Sequence, residues 1–369
     1  MIYLDNAATS LIKPRSVSTE VLRAMTLAAS PGRGGHRPAM LAAEIVYRCR
    51  EAAAELFNVP NSEQIVFTMN ASHALNIAIN SLVDKGSTVL VSGYEHNSVT
   101  RPLVALGANI IVAQAPLFDK AAILTSFKEN IEKSDLVICT HVSNAFGFIL
   151  PVYEIAELCR QNKVPLIVDA SQSAGVLDLD FQALGAEFVA MPGHKALFGP
   201  QGTGILLCND VGKVLMSGGS GSDSINQYMP EYLPDRHEAG THNVPGIAGL
   251  CAGINYVLSV GLENIKQHEQ ALIHEIINHL KMMDEIELYF GNTDTQSGVL
   301  SFKSRIYSCD EIGNMLNKEG VCVRSGLHCS PYSHRSAGTL DSGTVRVSVS
   351  PFTTLENAKD FCRILQNLF

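Results

Sequence analysis

The chain lacks a basic surplus: 27 Lys and Arg stand against 36 Asp and Glu, a formal net charge of -9 at pH 7, and no Lys/Arg run interrupts that balance. Nucleic-acid binding needs a phosphate-neutralising surface, so nucleic acid is not an expected partner. Long hydrophobic runs are missing too. No apolar stretch approaches the ~20 residues of a membrane span. The segment from Leu41 to Phe57 carries Glu44, Arg48, Arg50, Glu51 and Glu55, and its apolar residues recur at three- and four-residue spacing, which predicts a surface helix. No membrane partner is expected. The N-terminus, MIYLDNAATS, has Asp5 and no basic or long apolar region, so it does not read as a secretory signal, and a cytoplasmic location is expected. The nine cysteines include no C-x-x-C pair, which argues against a disulfide framework and a structural zinc site. No metal is expected, and most of these thiols read as small buried hydrophobes. Neither G-x-G-x-x-G opening a strand-helix unit nor G-x-x-x-x-G-K-[ST] occurs, which disfavours nicotinamide and nucleoside-triphosphate cofactors.

What is present is core material. With 46% hydrophobic and 17% charged residues the chain reads as globular, and 369 residues exceed what one core usually holds. Two domains sharing a cleft are expected: a large domain over 16–247, and a smaller α+β domain made of 1–15 and 248–369. From about Ser62 to Cys208 the short apolar runs IVFT, STVLVSG, NIIVAQ, DLVICTHV, PLIVDAS, FVAMP and GILLC alternate with helical patterns. This predicts an α/β fold with a mostly parallel sheet flanked by helices. Ligands of such sheets bind at the carboxyl ends of strands, where this chain places Thr68, His96, Asn144, Asp169 and Lys195. The Gly/Ser-rich stretch Ser217 to Ser224 reads as a loop, either lid or linker. A long amphipathic pattern around Gln267 to Met283, followed by GVLSF and TVRVSVS, predicts the smaller domain.

Lys195 sits in MPGHKALFGPQGTG, among Gly193, Gly199, Gly202 and Gly204 and directly after an apolar run. Desolvation there would favour the neutral amine that condenses with an aldehyde, although a lysine in a turn is the alternative. Asp169 ends PLIVD, where its carboxylate could pair with a pyridinium nitrogen or cap the next helix. Gln172, three residues on, is placed to meet a cofactor's phenolic oxygen. In IVFTMNASHALNIAI, residues Asn70, Ala71 and Ser72 open an apolar helix, a place that binds phosphate through free N–H groups or is simply capped. His96 could stack on a flat ring and move protons. His36, with Arg33 and Arg37, faces an anionic substrate or only solvent.

Cys329 lies in RSGLHCSPYSH, with His328, His334 and Arg324 near in sequence. Neighbouring cations raise a thiol's thiolate fraction, as a sulfur-accepting nucleophile requires. Cys139, Cys159, Cys208, Cys251 and Cys322 lie in apolar runs and read as inert. Arg346 alternates with Val345 and Val347 and so faces away from the core side of its strand, toward solvent or a substrate carboxylate.

The ordered segments YLDNAAT, EHNS, HVSN, VDASQS, GHKALFGPQG, EAGTHN and RSGLHC resemble the cysteine desulfurase family of fold-type I, class-V aminotransferase-like enzymes. The likeness spans nearly the whole chain. It implies pyridoxal 5'-phosphate held as a Schiff base on Lys195, with Asp169 on the pyridine nitrogen, Gln172 on the phenolic oxygen, His96 stacked on the ring, and Ala71, Ser72 and His194 on the phosphate. It implies a homodimer in which Thr241 reaches the other protomer's phosphate, and a substrate, L-cysteine, held by Asn144 and Arg346, with Arg324 and His36 as further substrate-side candidates. Cys329 would take the sulfur as a persulfide and leave alanine. Pro192, Leu327 and Ser330 depart from the family pattern. The R-x-G-x-H-C form suggests the short-loop branch, with a separate sulfur-acceptor protein or small thiol. Alternatives on the same cofactor are a selenocysteine lyase acting on L-selenocysteine, another elimination, or an aminotransferase-like reaction; a non-catalytic relative of the fold is the remaining one.

Overall fold

The computed structural model describes residues 1–32 and 34–369. The first strand, β1 (Ile2–Tyr3), belongs with the C-terminal part of the chain. The next seven, β2 (Ile65–Thr68), β3 (Thr88–Ser92), β4 (Asn109–Ala113), β5 (Leu136–Thr140), β6 (Leu166–Asp169), β7 (Phe188–Pro192) and β8 (Gly204–Cys208), form one sheet in the order β2-β8-β7-β6-β5-β3-β4. Five neighbours, β7 through β4, pair in parallel, and only β8 runs against the rest.

The apolar runs are continuous because both sheet faces are covered. Ile65, Phe67, Val137, Cys139, Val168, Val189, Met191 and Leu207 enter one core, while Val66, Leu136, Ile138, Ile167, Phe188, Ala190 and Leu206 enter the other. Alternate residues therefore face opposite layers, the period of two that a strand imposes. Helices between the strands complete the layers, and the carboxyl ends of β2, β3, β5, β6 and β7 meet at one edge.

A second, antiparallel sheet has the order β12-β13-β10-β9, with β9 (Ile286–Tyr289), β10 (Val299–Ser304), β12 (Arg324–Gly326) and β13 (Thr344–Ser348). The short β11 (Val321–Cys322) pairs in parallel with β1, which seats Leu4 in the same core as Phe302, Val345 and Val347. Helices Leu262–Leu280, Cys309–Lys318 and Leu355–Gln366 supply Leu272, Ile276, Ile312, Leu316 and Phe361 to it. Helix Val244–Val260 instead sends Val244, Ile247, Leu250, Ile254 and Val257 into the core of the large sheet. A division at 247/248 thus cuts a helix that is anchored along its length. The change of core falls inside helix Leu262–Leu280, between Ile265 and Leu272, and we place the domain division there.

Residues Ser217 to Ser224 form no helix or strand, and Gly240 N–H donates to Gly219 O at 2.8 Å. Among the described residues no single helix is long and apolar enough to cross a membrane.

Candidate active site

Each strand end delivers one polar group. After β2, Asn70 caps helix Ala71–Leu82, its Oδ1 accepting from His73 N–H at 2.9 Å. Ala71 and Ser72 are then the first two helical residues, whose N–H groups have no acceptor inside the helix. After β3, His96 caps helix Asn97–Leu106: Nδ1 accepts from Ser98 N–H at 3.0 Å and lies 2.9 Å from Ser98 Oγ. Ser98 Oγ also lies 2.6 Å from Ser72 Oγ, so the two helix starts are joined. Burial first, and the Lys195, Arg346 and Arg101 charges against the opposing pull of Asp169, bring His96 down to about 4. The ring is neutral at pH 7, and because Nδ1 accepts from the backbone, its proton sits on Nε2.

After β6, Asp169 is 2% exposed and its Oδ1 accepts from Ser171 N–H at 2.9 Å. Gln172 Nε2 donates to Ala7 O at 3.0 Å. After β7 the chain turns tightly: Gly199 N–H donates to Gly193 O at 2.7 Å, and a Cβ on Gly193 would run into Thr203 and Leu250. Only glycine lets this turn lie so close to helix Val244–Val260. It presents His194, whose Nδ1 lies 3.1 Å from Thr9 Oγ1, and Lys195, half-buried and, among the described residues, with no hydrogen bond or ion pair at Nζ. Burial lowers Lys195 to about 8, with Arg346 and Arg324 adding to it and Asp169 and Asp5 opposing. His194 falls to about 4, by burial first and then by Lys195 and Lys13.

Ala71, Ser72, His96, Asn144, Asp169, Gln172, His194 and Lys195 line one cavity of about 170 Å³. Ser98, Thr140 and Ser171 line it as well, and sequence reasoning did not single them out. The unpartnered amine, the buried acid with a second oxygen free of protein donors and the open helix start suit an aldehyde-bearing aromatic phosphate.

The remaining candidates lie outside this cavity. Cys329 is the one exposed thiol of nine. It has φ +57, directly after His328 at φ +50, and such left-handed non-glycine residues carry a cost of order 1–3 kcal/mol that surrounding contacts must hold. Those contacts are present: Asn97 N–H donates to Cys329 O at 2.8 Å, Asn144 Nδ2 to His328 O at 2.7 Å, and Ser330 Oγ to Glu95 O at 2.9 Å. The thiol loop is therefore tied to the strand ends that carry His96 and Asn144. The expectation that histidines act as cations beside Cys329 is corrected. His328 and His334 are buried, and burial above all lowers them to about 2 and about 4, so both are neutral at pH 7. Arg324 and Arg346, opposite one another on β12 and β13, are the cations on that side.

Arg346 is not solvent-exposed as one reading allowed. It is 2% exposed, NH2 pairs with Asp5 Oδ1 at 2.7 Å, NH1 donates to Asn144 O at 3.0 Å, and Nε has no partner among the described residues. Arg324 is exposed. His36 is exposed and caps helix Arg37–Phe57 by accepting from Ala39 N–H at 3.4 Å. Arg37 is exposed, and Arg33 lies outside the described residues.

Thr241 is exposed and lines other cavities, beside Met69 and His73 in one and Arg50 in another. Its segment is anchored by Glu238, a buried carboxylate that pairs with Arg50 and accepts from Phe67 N–H at 2.6 Å and from His242 Nε2 at 2.6 Å. Burial alone would raise Glu238, but Arg50 and His242 outweigh it and hold it below the usual carboxylate range. This stabilisation is present at neutral pH and is lost as pH falls through that lowered value. Glu238→Gln leaves the Arg50 guanidinium buried and uncompensated, so urea unfolding is expected to show a loss of about 3–5 kcal/mol. A loss under about 1 kcal/mol would mean the pair relaxes into water.

The Aminotransferase class-V family profile matches residues 2–361. A probable cysteine desulfurase of Methanothermobacter thermautotrophicus is 34% identical over 375 residues, covering 96% of this chain and 91% of that protein. The chain belongs to the cysteine desulfurase family of class-V aminotransferases. A second family member, the probable cysteine desulfurase of Pyrococcus abyssi, is 31% identical and covers 100% of this chain and 94% of its own. Among solved structures of the family, the apo cysteine desulfurase of Thermococcus onnurineus NA1 superposes with a TM-score of 0.93 at 30% identity, covering 100% of this chain and 94% of that one. The α/β fold with its mostly parallel sheet is thus the family's fold.

Proposed function

We propose that this protein is a pyridoxal-phosphate-dependent cysteine desulfurase that converts L-cysteine to L-alanine and carries the sulfur on Cys329 as a persulfide. The observation that carries it is the pairing of a desolvated, unpartnered Lys195 with the one exposed thiol, on a loop fastened to the strand ends beside that lysine. When bound, the cofactor supplies an electron sink for negative charge at the substrate α-carbon. The helix start at Ala71 and Ser72, with His194, holds its phosphate, Asp169 its pyridine nitrogen and Gln172 its phenolic oxygen. His96 would lie against its ring, and Lys195 would hold its aldehyde carbon.

Lys195 then moves the α-proton. Arg346, with its free Nε, takes the substrate carboxylate in competition with Asp5, and Asn144 and Arg324 complete that side. Cys329 Sγ attacks the substrate sulfur: the sulfur–sulfur bond forms, the carbon–sulfur bond breaks, and its electron pair stays on carbon, which takes up a proton to give alanine. Thr241, exposed at the edge of its segment, is assigned to the phosphate of a second protomer in a homodimer. The exposed, short Cys329 loop suits delivery to a separate acceptor protein or small thiol, and nine free thiols suit a reducing cytoplasm.

The test is product analysis of the cofactor-loaded protein given L-cysteine and a thiol reductant. Alanine and sulfide are expected in equal amounts. Pyruvate in place of alanine, or turnover of L-selenocysteine alone, would overturn the assignment.

A further inference from the structure

Cys49, on helix Arg37–Phe57, and Cys251, on helix Val244–Val260, belong to helices that pack against each other, and their thiols share a side-chain hydrogen bond. The two are unequal. Cys49 is fully buried, whereas Cys251 is half-buried and lines an open groove of about 1050 Å³ between these helices and helix Arg15–Leu27. There Asn255 Nδ2, one turn further along the same helix, donates to Cys251 Sγ at 3.5 Å. Cys251 Sγ thus accepts from two donors, Asn255 and the Cys49 thiol, and hydrogen bonds of this sense favour the thiolate.

Burial pushes the Cys49 thiol well above its ordinary value, and the bond to Cys251 adds to this. Cys251 moves the other way: the Cys49 bond first, then Asn255 and the Arg48 guanidinium, outweigh burial and the Glu20 carboxylate. Arg48 and Glu20 are themselves paired, with Glu44 and Arg23, and Glu51 and Glu55 are the remaining charged groups on the groove wall. A reachable nucleophilic thiol beside a buried one that keeps its proton is the arrangement in which one sulfur is oxidised and the other resolves it. We infer that Cys49 and Cys251 form a peroxide-reactive thiol pair that closes to a disulfide, a site separate from Cys329.

The Cys251 thiolate attacks hydrogen peroxide: a sulfur–oxygen bond forms, the oxygen–oxygen bond breaks, and the leaving hydroxide takes a proton from solvent, which leaves a sulfenic acid. Cys49 then attacks that sulfur. The sulfur–sulfur bond forms, the sulfur–oxygen bond breaks, and the Cys49 proton leaves with the hydroxyl as water, so two electrons have passed from the two thiols to the peroxide. A small thiol reverses the bond by exchange. Closure needs the two Cα atoms within roughly 7 Å of each other. Small residues flank the pair, Ala52 and Ala53 on one helix and Ala248 and Ala252 on the other, so the helices can approach that closely. The bond ties helix Arg37–Phe57 to the helix whose Leu250 lies against Gly193 in the Lys195 turn.

The experiment uses the cofactor-loaded protein with Cys329→Ala, which removes the exposed thiol as a competitor. The protein is reduced, freed of reductant and treated with hydrogen peroxide, then denatured, capped with N-ethylmaleimide and digested for mass spectrometry without reduction. A pair of peptides joined through Cys49 and Cys251, and separated by dithiothreitol, is expected before the other cysteines are modified. Adding Cys49→Ser is expected to stop the reaction at a Cys251 sulfenic acid that dimedone traps. Asn255→Ala, a change on an exposed helix surface, needs no alteration of the core: loss of one donor is expected to slow Cys251 oxidation by about 2- to 10-fold. Cys251 still a thiol after other cysteines have been oxidised, or driven to sulfinic acid while Cys49 is capped as a free thiol, overturns the pair. An undiminished rate in Asn255→Ala overturns Cys251 as the attacking sulfur.

Discussion

Lys195→Ala is expected to abolish alanine formation from L-cysteine, a loss on the order of 10³-fold or more, because one change removes both the amine that holds the cofactor aldehyde and the group that moves the α-proton. The visible absorbance of cofactor-treated protein is expected to vanish in the same variant. Folding is expected to survive. The Lys195 pKa falls from 10.5 to about 8 on folding, so below pH 8 the native state carries a charge that its surroundings disfavour. The sign follows from proton counting: between about 8 and 10.5 the unfolded chain binds the extra proton, so stability rises with pH across that window and the penalty is full at pH 7. Its size is a few kcal/mol at most, reduced by whatever water reaches the half-buried amine. Removing the charge relieves it. The cofactor-free variant should therefore unfold at pH 7 at a temperature no lower than the cofactor-free wild type. A marked drop in that midpoint, with turnover retained, would reassign Lys195 to a structural turn.

The large sheet was legible because β2, β5, β6, β7 and β8 are short, mostly apolar runs buried on both faces, a pattern that a solvent-facing strand does not produce, whereas β4 at the sheet edge is half-exposed. The cavity was legible for the same reason: a polar residue at the end of such a run has nowhere to go but the sheet edge, which is how His96, Asn144, Asp169 and Lys195 come together. Arg346 was half-legible. Alternation with Val345 and Val347 gives its face but not what covers that face, and the cover is Asp5, 341 positions away. His328 and His334 misled because sequence shows a neighbour's type and not its burial. Helix Val244–Val260 has ten buried residues, so from sequence it gives no stripe that points to one core. Glu95 and Glu269 were silent for a similar reason. An acid in a helix or after a strand reads as solvated, and only the fold shows Glu95 fully buried with Oε2 unpartnered, pushed by burial up to about 8.

Cys329→Ala separates the chemistry of sulfur from that of the cofactor. Cys329 does not line the cavity of Lys195, Asp169 and His96, so the variant is expected to bind cofactor with unchanged absorbance and to lose alanine formation by about 10³-fold, since no other thiol is exposed to replace it. Alanine also tests the loop fairly. It meets the same φ of +57 as cysteine, leaves the backbone bonds from Asn97 and Ser330 in place, and gives up only a side chain that was facing solvent. The unfolding free energy should change by no more than a surface substitution changes it, about 0.5 kcal/mol. The persulfide supplies an independent reading: mass spectrometry of wild type treated with L-cysteine should find one added sulfur, 32 Da by about the mass of the atom, on the peptide holding Cys329, and none on that peptide in the variant. If Cys329→Ala instead turns over L-cysteine at the wild-type rate, the sulfur leaves without passing through the loop, and the site acts by direct elimination on Lys195. In that event the bonds that hold His328 and Cys329 in left-handed conformations would serve the closure of the cavity edge at Asn144 and not the presentation of a thiol.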